Sequence, residues 1–209
     1  MPEFAEDMSA GRTERMNRVA SKAINATLSY AMICAVFIYS FAEELGYMVY
    51  KSYDAGFYIS TLAVVVPIMY LDHVTDSILK GIGEQVFSMW VNISDSLISI
   101  ILVWLLIPRM GIMGYAIVIV IMEGFNFILS FLRLGKRIKI TFAPVKSILI
   151  PLASAAISAF LSDVLFAFSG STPTPLWLIL KMIFSLAITI FFIALFNFIS
   201  IINTKKVNA

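Results

Sequence analysis

Charge is what this sequence has least of. Of its 209 residues only 13% are Asp, Glu, Lys or Arg, whereas 60% are hydrophobic and the mean hydropathy is +0.93. A soluble domain averages about 25% charged residues, and half of that leaves too little polar surface to cover a globule. Cysteine occurs once, as Cys34 inside an apolar run, which excludes a disulfide framework and a Cys-based metal site. Histidine also occurs once, as His73. That excludes a His-Glu-x-x-His metal helix, and with Cys34 far away in sequence there is no thiol catalytic pair. No Walker-type glycine loop is present, because Gly81-Ile-Gly83 lacks the Lys-Ser/Thr that phosphate cradling needs. The chain is therefore read as a non-enzyme with no catalytic residue, no metal, no cofactor and no nucleic-acid partner. No signal peptide is read in residues 1–23, since their basic residues are not followed by a short apolar core and a small-residue cleavage site.

What the sequence has in quantity is long uncharged runs, and about 20 apolar residues span a bilayer core. The expected fold is an all-α membrane protein with six transmembrane helices. Residues 1–23 carry Arg12, Arg15, Arg18 and Lys22 at amphipathic spacing. The first span is expected over about Ile24–Tyr47, ending in Glu43, Glu44 and an aromatic belt of Tyr47, Tyr50 and Tyr53. The second runs over about Phe57–Leu79 with Pro67 as a kink, and Gly81-Ile-Gly83 ends it. The third covers about Val86–Ile107 and stops at Pro108, and the fourth covers about Met113–Leu132. A basic loop with Arg133, Lys136, Arg137, Lys139 and Lys146 follows. The fifth span is expected over about Val145–Phe168, then a Ser169–Pro175 turn, then a sixth span over about Leu176–Ile202 before Lys205 and Lys206.

Six spans place both termini on one side, and twelve of the 15 basic residues fall on that side. The other side holds Lys51 and Arg109, with Lys181 just inside the last span and able to snorkel outward. This positive-inside bias predicts cytoplasmic termini in the plasma membrane. A charge at the bilayer centre costs about 2.5–3.5 kcal/mol on insertion scales, so such groups face a partner or a water-filled path. The candidates are Asp72, His73, Asp76 and Lys80 on the second span, Asp95 on the third, and Glu123 with Asn126 on the fourth. Asp72, Asp76 and Lys80 fall at i, i+4 and i+8, on one helix face. Asp95 lies about nine residues, or roughly 13 Å, from the inner end of its helix, so it shares a depth zone with Asp72 and Asp76. Two readings compete for Asp76 and Lys80: a substrate path, or a pair along their own helix near the interface. For Asp95, neighbouring Asn92, Ser94, Ser96 and Ser99 offer hydrogen bonds. Glu43 and Glu44 are read as outer-interface residues with little meaning.

Several stretches carry a family likeness. Pro2-Glu-Phe with Gly11-Arg-Thr-Glu-Arg-Met-Asn-Arg18, and Phe41-Ala-Glu-Glu-Leu-Gly-Tyr-Met-Val-Tyr50, resemble the latter half of the polysaccharide-flippase branch of the multidrug/oligosaccharidyl-lipid/polysaccharide exporter superfamily, with stage V sporulation protein B-like proteins the nearest likeness. Tyr70-Leu-Asp-His-Val-Thr-Asp-Ser-Ile-Leu-Lys-Gly-Ile-Gly-Glu-Gln85 resembles the family's Leu-Lys-Gly-Leu-Gly-x-Gln helix end, and Leu106-Ile-Pro-Arg-Met-Gly-Ile-Met-Gly-Tyr115 its Pro-x-x-Gly-Ile-x-Gly-Tyr turn. The resemblance implies the C-terminal portion of a 12–14-helix, two-lobe exporter. Residues 1–23 would be a cytoplasmic lead-in, 24–134 four helices of the C-terminal lobe, 135–146 a basic cytoplasmic loop, 147–204 an accessory helix pair and 205–209 a cytoplasmic tail. The implied partners are the bilayer, a lipid-linked saccharide and the missing N-terminal transporter half, with Met1 as an internal start or a fragment's beginning. The implied function is translocation of a lipid-linked oligosaccharide or cell-wall polysaccharide precursor. A cation-coupled multidrug antiporter of the same superfamily and a non-transporting membrane interaction subunit are the alternatives.

Overall fold

The computed structural model describes Glu6, residues 12–167 and residues 175–207, with side chains of the last helix described as far as Phe196. Eight α-helices follow one another among these residues: α1 Thr13–Ser40, α2 Ala42–Tyr50, α3 Tyr53–Ala63, α4 Val66–Gly81, α5 Gln85–Met110, α6 Ile112–Gly135, α7 Ile150–Ala167 and α8 Pro175–Val207, with a π-helical turn Val145–Leu149 before α7. No strand occurs among the described residues, as expected of an all-α chain. Five helical stretches (Thr13–Ser40, Gln85–Met110, Ile112–Gly135, Val145–Ala167 and Pro175–Phe196) are long and apolar enough to cross a membrane, and α3 with α4 supplies a sixth crossing if the pair is one interrupted span.

The boundaries differ from the sequence expectation at points with a physical cause. The lead-in and the first span are one helix, because Met16, Ala20, Ile24, Leu28, Ala31 and Ala35 form a single buried stripe at three-to-four-residue spacing. That helix ends at Ser40, and α2 restarts after Phe41. Pro67 interrupts the second span as expected, because a proline cannot bond the carbonyl four residues before it, here Ala63, and the span is bent at that break. The helix breaks at Val64–Val65 and restarts with Pro67 in the first turn of α4, where a missing N–H costs nothing. Gly81 ends α4 as expected, and Gly83 takes φ +83°. The third span runs through Pro108 to Met110 and stops at Gly111, whose φ +57° and ψ −137° favour glycine. Pro151 would clash with the carbonyl of Ser147 in a regular helix, and the π-helical turn widens the backbone there. The expected turn at Ser169–Pro175 lies, except for Pro175, outside the described residues.

The chain divides into two compact units. Residues 1–31 and 64–143 form the first, and residues 32–63 and 144–209 the second. In the first unit α4 and α5 both pack on α6. α5 and α6 meet closely at Gly114, where an added Cβ would stand 2.6 Å from the Leu106 carbonyl oxygen. In the second unit α2 packs on α3 through Gly46 and Gly56, and α7 packs on α8 through small and hydroxyl residues. Ser154, Ser158 and Ser162 on α7, and Lys181, Ser185 and Thr189 on α8, are buried at four-residue intervals. Ser158, Ser162 and Thr189 donate to carbonyls of their own helices, whereas the buried Ser154 hydroxyl has no partner among the described residues, and small residues let the two backbones approach.

Candidate functional site

The acidic residues singled out by sequence converge on α4, α5 and α6 of the first unit. Asp72 lies on α4, Asp95 on α5, and Glu123 and Asn126 on α6. Asp72 lies within electrostatic reach of His73, Asp76 and Asp95, and Glu123 within reach of Asp72, His73 and Asp95. Ser130 of α6 lies near the Asp72 carboxylate, and Asp72 Oδ1 is enclosed with no hydrogen-bond partner. The same holds for Asp95 Oδ1 and Asn126 Oδ1. Three enclosed acceptors on three helices thus lack donors, and each such group costs roughly 1–3 kcal/mol while unpaired. The serines near Asp95 do not relieve it: Ser96 donates to the Asn92 carbonyl instead. The hydroxyls of Thr75 on α4 and Ser88 on α5, both buried, are also unpartnered. Among the described residues no three His, Cys, Asp or Glu side chains come together in a way that would hold a metal ion. The arrangement is an acceptor-rich lining that demands a proton, a cation, or the donors of a ligand or water.

The remaining candidates are near that lining but present no enclosed, unpartnered atom. Lys80 Nζ pairs with Asp76 Oδ2 at 2.6 Å along α4, with Lys80 half exposed, so Asp76 is neutralised within its own helix. His73 is exposed. Beyond Gly83 the sequence contains a group that the sequence argument left unassigned. Glu84, at the N-terminal end of α5, accepts from Arg133 Nε at 3.1 Å and Nη2 at 2.7 Å, and from Arg137 Nε at 2.6 Å. It ties the α4–α5 turn to the C-terminal end of α6. The Arg133 guanidinium, joined by Arg137, holds the Glu84 carboxyl below the usual carboxylate range. Arg133 also stacks over the Phe87 ring at 5.1 Å.

A second ionic group lies in the second unit, and here the sequence expectation is overturned. Lys181 does not snorkel outward. Its side chain is 5% exposed and its ammonium lies 2.8 Å from Glu44 Oε1 and 2.6 Å from Asp163 Oδ1. The rings of Phe41 and Trp177 stand 5.3 and 5.2 Å from the same nitrogen. Two carboxylates and two aromatic faces replace the water that a lysine would otherwise reach for. Glu44, expected to mean little, is a principal partner. The signal available in the sequence was the Lys181, Ser185, Thr189 spacing, a polar stripe inside an apolar helix facing the polar stripe of Ser154, Ser158 and Ser162.

Comparisons with known proteins agree with the fold. Residues 4–105 match the MatE family. A comparison of the sequence with curated proteins finds no match. Among solved structures, the lipid II flippase MurJ in an inward closed conformation is similar, with a TM-score of 0.68 over 95% of this chain at 14% identity. The match takes in 42% of that protein, so this chain spans less than half of its length. At that identity the likeness is one of fold. The expected all-helical fold with five or six helices long and apolar enough to cross a membrane is borne out, and the MatE match over residues 4–105 agrees with the resemblance to that exporter superfamily.

Proposed function

We infer that this chain, a member of the multidrug/oligosaccharidyl-lipid/polysaccharide exporter superfamily through its MatE region at residues 4–105, is the C-terminal part of a flippase that moves a lipid-linked oligosaccharide or cell-wall polysaccharide precursor across the plasma membrane. The observation that carries the reading is the set of enclosed, donorless oxygens of Asp72, Asp95 and Asn126 on three packed helices. Saccharide hydroxyls and coupling cations both supply what such a lining lacks. Energy comes from ion coupling or membrane potential, since the sequence has no nucleotide-binding loop. No arginine lies deep in a span, so contacts to a pyrophosphate group come from the N-terminal transporter half, supplied by the same longer chain or by a partner. In this frame both termini are cytoplasmic.

The acceptor-rich lining equally suits a cationic drug, which makes a cation-coupled antiporter of the same superfamily the second reading. The test uses the full-length protein in vesicles. Asp72→Asn, Asp95→Asn and Glu123→Gln should each reduce translocation of a lipid-linked saccharide at least ten-fold while the amount of inserted protein stays normal. Loss of the protein itself would instead mark the acids as structural, and undiminished transport would remove them from the path. Sodium- or proton-dependent dye efflux, without saccharide translocation, would move the antiporter to the front.

A further inference from the structure

Asn17, Ser21 and Asn25 stand at four-residue intervals on α1, and each grips the backbone of the segment that leaves α6. The Lys139 N–H donates to Asn17 Oδ1 at 3.1 Å, the Thr141 N–H to Ser21 Oγ at 2.9 Å, and the Ala143 N–H to Asn25 Oδ1 at 3.0 Å, while Asn25 Nδ2 donates to the Thr141 carbonyl at 2.8 Å. Four residues of helix advance about 6 Å, and two residues of extended chain about 6.6 Å. A side chain on every turn of α1 can therefore meet every second residue of the segment.

This docking has a chemical by-product. Asn17 Oδ1 and Ser21 Oγ each accept one backbone N–H and keep a second lone pair, while both side chains also carry donors. The Asn17 amide N–H groups and the Ser21 hydroxyl proton have no acceptor among the described residues. Beside them lies an open cleft of about 350 Å³ lined by Glu14, Asn17, Arg18, Ser21, Lys139 and Thr141. Arg18 and Lys139 are exposed and form no ion pair among the described residues. Apart from the Glu14 carboxylate, the cleft offers two cations and a row of hydrogen-bond donors. That pattern complements a group that accepts only, and phosphate is such a group.

We propose that this cleft binds the phosphate of an anionic phospholipid headgroup. A membrane source is favoured over a free phosphate by the position of the cleft. It lies where α1 passes from Glu14, Arg15, Arg18 and Lys22 into the apolar run beginning at Ile24, the level at which headgroups meet basic side chains. Phe142, next to Thr141 on the docked segment, is exposed and offers an apolar surface to the adjoining acyl chains. Headgroup binding would then staple the segment to α1, since Arg18 belongs to one and Lys139 to the other.

The experiment follows the thermal unfolding midpoint of the full chain in detergent micelles against dioctanoyl phosphatidylglycerol, dioctanoyl phosphatidylcholine and inorganic phosphate, converting the shifts to apparent affinities by linkage. Phosphatidylglycerol is expected to stabilise at lower concentration than phosphatidylcholine. Arg18→Gln with Lys139→Gln should weaken that binding about 25-fold, roughly five-fold per cation removed, and Arg18→Lys with Lys139→Arg should retain it. Glu14→Gln should tighten binding, a change that misfolding would not produce. Unchanged affinity in the folded Arg18→Gln/Lys139→Gln variant, or equal affinity for the two lipids, would overturn the proposal. Stabilisation by inorganic phosphate as strong as by phosphatidylglycerol would overturn the membrane source.

Discussion

Replacing Lys181 by methionine removes one ammonium from a place where three helices and two rings were built around it. Breaking a buried ion pair costs about 3–5 kcal/mol when the abandoned charge stays buried. Here the abandoned charges differ. The Glu44 side chain is 30% exposed and that of Asp163 is 54% exposed, so Asp163 rehydrates readily and Glu44 only in part. The two ring contacts at 5.2 and 5.3 Å add about 0.5–1 kcal/mol each, part of which methionine replaces with its own dispersion contacts. The expected loss is about 3 kcal/mol, or roughly a hundred-fold in the folded-to-unfolded ratio. Glu44→Gln should cost less than Lys181→Met. Asp163→Asn should cost least, within about 1 kcal/mol, as for surface pairs. Unfolding of the purified chain in mixed micelles of increasing SDS content, followed by tryptophan fluorescence, reads this directly because Trp177 borders the lysine. A Lys181→Met/Glu44→Gln double variant should lose less than the sum of its parts. A Lys181→Met variant as stable as the parent, or Asp163→Asn costing more than Glu44→Gln, would refute the reasoning.

Glu84→Gln should lower the thermal midpoint at pH 7, because Arg133 and Arg137 then face a neutral amide. Its carboxyl pKa is depressed from about 4.5, so the stabilisation is fully present above that value and is lost as pH falls through the lower folded value. The gap between parent and variant should therefore close below about pH 4.5 in thermal scans, and a gap independent of pH would contradict the assignment. Gly46→Ala should abolish stable packing of α2 on α3, since its Cβ would overlap the Gly56 backbone nitrogen. Gly124→Ala, where a Cβ meets nothing within 4 Å, should leave stability unchanged or raise it by up to about 1 kcal/mol, since alanine is the better helix former, and a cost at Gly124 equal to that at Gly46 would show that close backbone approach is not what the Gly46 substitution measures.

The spans were legible because an apolar run of bilayer length has few other uses. Their interruptions were legible only in part. Pro67 announced the bend in the second span, but not that the helix would stop at Ala63 and restart at Val66 with the proline in its first turn. The continuity of α1 was hidden because the buried residues of its polar start, Met16 and Ala20, are two small or flexible side chains among charges. For the acids, sequence gave the helix and the approximate depth but not which oxygens would be enclosed, which depends on the helix rotations set by packing on α6. Lys181 was misread and Glu84 left unassigned because Glu44 and Arg133, which pair with them, lie 137 and 49 residues away in sequence, beyond any local spacing rule.

The break between α3 and α4 bears on how this chain is made. The 11 residues of Tyr53–Ala63 cover about 16 Å and the 16 residues of Val66–Gly81 about 24 Å, and a bilayer core is about 30 Å thick. Neither half is a complete insertion signal, and the second carries Asp72, His73, Asp76 and Lys80. The helices on which α4 rests, α5 and α6, are synthesised after it. From the moment residues 53–81 leave the ribosome until Gly135 follows them, α3 can meet α2 and Tyr70 can meet Tyr30 of α1, but Asp72 lacks the α5 and α6 surfaces among which it ends. The insertion machinery must therefore hold it, or let it settle shallowly, until its packing partners arrive.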